Sequence, residues 1–160
     1  MADLIFNQAF GKAAEWVSRV NANDPANAVI EVSLLASTGI EADSVLRDKD
    51  DYAALVSGAT NEATNTGYSR KVLDQAGGLT VIVDDTLDRT DLDFPDQTWT
   101  GVANDGTGAI GDLVTAYDSD STGGTDANII PMTLHDFVIT PDGSDITAQL
   151  PVQGFFSASE

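Results

Sequence analysis

Apolar and polar positions alternate along most of this chain. Ile30, Val32 and Leu34 share one side of residues 29–35, after a turn-rich stretch at 21–25. A two-residue period over that length predicts a strand. The period returns beyond residue 67 in Leu79, Val81 and Val83, in Leu92 and Phe94, and in Leu113, Thr115 and Tyr117. Ile130, Met132 and Leu134 then share a face, followed by Phe137 and Ile139 and by Ile146, Ala148 and Leu150. Turn chemistry separates these runs: Asn104-Asp105-Gly106, Gly123-Gly124 and Pro141-Asp142-Gly143, whose proline presets φ at the first corner. Pro95 and Pro131 belong at strand edges or bulges, because neither can donate a ladder hydrogen bond. The pattern predicts a mainly β fold, an antiparallel β-sandwich or barrel, in one domain over 1–160 with residues 1–11 as an extended N-terminal arm.

One short helix interrupts it. Asp48-Lys49-Asp50-Asp51 precedes Tyr52, Leu55 and Val56 at helical spacing, and Gly58 closes the run, which predicts an α-helix over about 48–57 with acids suited to its first turn. Residues 12–20 carry two patterns at once. Phe10, Ala13, Ala14 and Val17 fit a helical stripe, whereas Ala14, Trp16, Ser18 and Val20 alternate as in a strand. Periodicity leaves both open.

Charge changes the picture of possible partners. Seven Lys and Arg stand against 26 Asp and Glu, a formal net of −19, which disfavours a surface that tracks nucleic acid or an anionic membrane. Every basic residue lies at or before Arg89, so residues 90–160 are uniformly anionic. Apolar content of 42% is too high for charge-driven disorder, and no run approaches the roughly 18 uninterrupted apolar residues of a membrane span. The opening Met1–Asn7, with Asp3 in place of a basic region, does not read as a secretory signal. Cysteine is absent, which excludes disulfides, thiolate nucleophiles and cysteine-based metal sites.

Three constellations invite chemistry and each lacks its context. Gly106, Gly108 and Gly111 have dinucleotide-loop spacing, but the residues after Gly111 alternate as a strand where the cofactor motif needs a helix. Asp118, Asp120, Thr122 and Gly123 open like a calcium loop, yet the twelfth position is Ile129 rather than the bidentate Glu, so a hairpin loop is expected. The lone His135 neighbours Asp136, but adjacent residues on a strand point to opposite faces, and neither a cysteine nor a G-x-S-x-G elbow accompanies them. No enzymatic role, cofactor or metal is expected. Trp99 reads as core, with carbohydrate stacking as its alternative use.

Leu34–Gly39 with Leu46-Arg47-Asp48 and the Tyr52 helix, Asn61–Thr64 and Gly67–Lys71 together resemble a group of small structural proteins of tailed bacteriophages. Val83–Thr86, Pro95–Trp99, Tyr117-Asp118, Ile129–Pro131, His135–Phe137 and Gly154–Phe156 continue the resemblance in the same order. It implies a head decoration or minor capsid protein at the virion capsid surface, made in the host cytoplasm, with the major capsid protein and copies of itself as partners. It also implies a strand over residues 12–20. A β-sandwich binding module of a tail or fibre, with Trp99 or Tyr117 as a stacking platform, is the competing expectation. Arg70 and Lys71, scarce cations on opposite faces of an expected strand, are the candidate partner-binding residues.

Overall fold

The computed structural model describes residues 3–151 and 153–159. Its centre is an antiparallel five-stranded sheet made of β1 (Leu4–Ile5), β2 (Val29–Ala36), β3 (Lys71–Leu73), β7 (Ile110–Asp118) and β8 (Ile130–Ile139), in the order β1-β8-β7-β2-β3. A three-stranded sheet of β4 (Thr80–Asp84), β5 (Arg89–Asp93) and β10 (Phe156–Ser159), ordered β10-β5-β4, and a two-stranded one of β6 (Gln97–Trp99) and β9 (Ile146–Ala148) complete the strands. The mainly β, antiparallel, sandwich-like architecture agrees with the alternation in the sequence.

Both faces of the large sheet are covered, so β2 and β7 are buried at every position. Two layers of core result. Ile30, Val32, Leu34, Leu113, Tyr117 and Met132 face the smaller sheets and the helix α1 (Ala13–Ala22), among Leu92, Phe94, Trp99, Ile146 and Phe155. On the opposite face Leu35, Val114, Ala116 and Leu134 pack against Phe6 and against two single-turn helices, α2 (Asp43–Leu46) and α3 (Tyr52–Leu55), through Leu46, Tyr52 and Leu55.

Residues 13–22 are helical, which corrects the strand implied for 12–20. Ala13, Trp16, Val17 and Val20 fall at i, i+3, i+4 and i+7 and are the helix's buried residues, while Arg19 and Glu15 pair at 3.3 Å on its outer side. Asn23, at φ 51°, ends the helix in the left-handed conformation. The Trp16 ring stacks on Tyr117 with centroids 5.3 Å apart. The helix expected over 48–57 is shorter, because Asp51 is its N-cap: the carboxylate accepts the Ala54 N–H at 2.7 Å, leaving Asp48 and Asp50 outside. Leu4–Ile5, within the segment expected as an extended arm, pairs with Leu134 and Thr133 of β8, and Phe6 is fully buried; Met1 and Ala2 lie outside the described residues.

Pro131 sits at an irregularity in register, where Thr115 faces Thr133 but Ala116 faces Pro131. The extra residue reverses the side on which later residues fall, so Leu134 joins the second layer while Ile130 and Met132 belong to the first. The single face drawn through Ile130, Met132 and Leu134 is therefore corrected.

Candidate interaction site

Arg70, just before β3, reaches three carboxylates from three parts of the chain. Its guanidinium donates to Glu62 at 2.6 and 2.9 Å, to Asp126 at 2.8 and 3.0 Å and to Glu31 at 3.2 Å. It also lies over the Tyr52 ring, 4.1 Å from the centroid. Tyr68 donates its hydroxyl to Glu62 at 2.7 Å and accepts the Leu34 N–H, and Tyr52 donates to Ser33 at 2.8 Å. The cluster thus links β2, the 59–70 connection, α3 and the turn before β8.

Burial sets the electrostatics here. It disfavours the charge on Arg70, but the hydrogen bonds the guanidinium donates to Glu62 and Asp126 outweigh it and hold it above its ordinary basicity. Burial also raises Glu31, against the opposing pull of Arg70. Tyr52 and Tyr68 are raised as well, first by burial and then by the Glu62 charge. Three carboxylates share one guanidinium, so the cation is committed within the fold and does not offer a free docking charge. Lys71 turns to the other face, its ammonium 5.6 Å from the centroid of the Trp99 ring. Arg70 thus lies with Tyr52 in the second layer and Lys71 with Trp99 in the first, and Arg70 is a structural hub.

A groove of about 550 Å³ opens on the other layer, between the β1/β8 edge of the large sheet and β10. Ile5, Leu113, Phe137, Leu150 and Phe156 line it, with Phe10, 60% exposed, at its mouth. His135 stands in this groove. Its Nδ1 lies 3.3 Å from an Asp3 carboxylate oxygen and its Nε2 lies 2.8 Å from the Thr133 hydroxyl, which is 2.6 Å from that of Thr115. A carboxylate beside the imidazole is thus Asp3, 132 residues away in the chain. Thr133 is buried and held between His135 and Thr115, so the chain of contacts ties β1, β8 and β7 together.

The remaining sequence motifs resolve into local structure. Gly111 lies inside β7, where a Cβ would meet Ile40 and the Ser37 backbone at 2.6 and 2.8 Å. Gly106, at φ +54°, sits where a Cβ would come within 2.5 Å of the Thr64 carbonyl. Beneath that turn the buried Asn65 amide donates to the carbonyls of Ala103, Asp105 and Gly108, each at 2.9 Å. Asp118 and Asp120 accept the N–H groups of Asp120 and Thr122 two residues on, as in ordinary Asx turns. Among the described residues no group of three or more His, Asp or Glu could hold a metal ion. Trp99 and Tyr117 are both buried, and the Trp99 indole donates to the Ser69 carbonyl at 2.7 Å.

No protein-family model, curated protein or solved structure matches this chain.

Proposed function

We propose that this protein is a structural component of a tailed-phage virion, a decoration protein bound to the capsid surface. The observation that carries the reading is the ordered resemblance from about residue 12 onward to small phage structural proteins. Several structural features support it. Buried polar groups are used to join elements: the Arg70 cluster ties down connections that have little secondary structure of their own. Burial of Trp99 and Tyr117 removes the aromatic platform that a carbohydrate-binding module would use. The formal charge of −19 would keep crowded particles dispersed.

Affinity for a shell would come from apolar contact, with charge setting orientation and rate. Lys71 is better placed than Arg70 to supply such a charge, since it is not held by an ion pair among the described contacts.

Quantitative mass spectrometry of purified particles tests the proposal. Copies on the order of the number of capsid hexamers or major capsid subunits are expected, and a handful per particle would point to a tail or fibre part.

A further inference from the structure

Strand β4 is the free edge of the β10-β5-β4 sheet. The Leu92 carbonyl accepts the Phe155 N–H at 2.9 Å, so Leu92 directs its backbone groups toward β10. By alternation Asp91 and Asp93 direct theirs toward β4. Ile82 is opposite Asp91 and Thr80 opposite Asp93, which leaves the N–H and C=O of Val81 and Val83 pointing out of the sheet. The rim is apolar: Ile82 is 46% exposed, Val83 68%, and Leu87 in the following turn 57%. Proline, lysine and bulges, three of the devices that blunt an edge, are missing from Thr80–Asp84, whose one charged side chain is Asp84 at its end.

We propose that β4 is a self-association edge that receives a second copy of this chain, antiparallel and two-fold symmetric about Ile82. In this register Val81 of each copy lies opposite Val83 of the other, and all four outward backbone groups of each copy find partners at once. Ile82 meets its own counterpart at a non-hydrogen-bonded site, where side chains approach most closely. Asp84 meets Thr80, so no two carboxylates face each other across the seam; centring the pair on Asp84 would oppose it to itself. Five residues of edge bury far less than the roughly 1,600 Å² of a standard interface, so the dimer is weak and concentration-dependent. Because each copy carries −19, salt strengthens it by screening repulsion.

The chain has no cysteine, which allows a clean cross-linking test. In this register Cα atoms of the Ile82 pair lie about 4.5 Å apart, within reach of a disulfide. Under mild oxidation Ile82→Cys should form covalent dimer several times faster than Thr80→Cys or than Val138→Cys, at an exposed site on β8. Sedimentation of the unmodified chain should show association that grows with concentration and with salt. Val83→Pro sacrifices only an outward N–H; with circular dichroism unchanged, it should weaken association by roughly tenfold or more, from two lost hydrogen bonds per dimer. Equal cross-linking of Ile82→Cys and Val138→Cys, a chain that stays monomeric at high concentration and salt, or association untouched by Val83→Pro would each overturn the proposal.

Discussion

On one side of the large sheet the core is aromatic and aliphatic, with Trp16 stacked on Tyr117, Trp99 sealed beneath Lys71, and Phe94 and Phe155 in contact at 5.0 Å. On the other side a smaller apolar layer is bordered by ionisable groups: Arg70 with its three carboxylates, and Asp112, buried in β7 opposite Leu35 and Asp136. The difference follows from what covers each face. Regular elements with their own apolar stripes, α1 and the two smaller sheets, close the first. Two helices of four residues and long connections close the second, and such segments present too little apolar area to hold themselves down. Charge-assisted hydrogen bonds fix them instead.

This contrast makes the two faces differ in pH response. Trp99→Ala removes a fully buried ring and the indole bond to Ser69, and is expected to cost about 3–5 kcal/mol in urea unfolding, with the same cost at pH 7 and pH 5. Arg70→Ala leaves Glu31, Glu62 and Asp126 facing one another without their cation, a loss of about 3 kcal/mol at neutral pH. That loss should shrink as the pH falls toward the titration of the Glu31 carboxyl, which burial holds above its ordinary range. A pH-independent cost for Arg70→Ala would show that apolar packing alone holds the second face.

Asp112 sharpens the comparison with the opposite sign. Burial, reinforced by the neighbouring Asp136 and Asp43 charges, pushes its carboxyl up to about 6. Since the unfolded value is about 3.9, folding favours the protonated form; that contribution is full below about pH 4 and is lost as the pH rises through 6. Asp112→Asn should therefore stabilise the protein at pH 7.5, by on the order of 2 kcal/mol, and should be neutral at pH 4. Thermal unfolding across this range checks it, and a destabilising effect at pH 7.5 would mean that the ionised carboxylate is a partner the fold needs. The smallest effect belongs to Asp142→Asn in the exposed Pro-Asp-Gly turn. Its carboxylate accepts the Ser144 N–H at 2.9 Å, a bond that an amide oxygen can also accept, so the unfolding midpoint should not move.

Much of the first face was legible because its residues obey one period at a time. The alternations ending in Leu92 and Phe94, or in Ile146 and Ala148, mark strands whose apolar side meets the core. Helix α1 was ambiguous because Ala14, on the stripe drawn through Phe10 and Val17, is only partly buried, whereas Trp16 and Val20 supply the true contact. The second face was far less legible. Glu31, Glu62, Arg70 and Asp126 come from distant positions in a chain crowded with acids, and nothing local distinguishes the three carboxylates that meet Arg70. A buried Glu31 within the apolar run 29–35 was the available signal, because a strand covered on both faces must find that carboxylate a partner. The pairing of His135 with Asp3 required the N-terminal strand to return to β8, a non-local contact that periodicity does not encode.

We propose that the chain binds many equivalent sites on a capsid and that Arg70 serves the fold rather than the interface. Adding purified protein to heads stripped of it, and reading occupancy against the major capsid protein over a salt series, tests this most directly. Saturation at a fixed ratio to the capsid subunits is expected, with Arg70→Lys, which keeps the charge but loses the paired hydrogen bonds, saturating the shell wherever it remains folded. No saturable binding, or binding lost in a folded Arg70→Lys variant, would contradict the account.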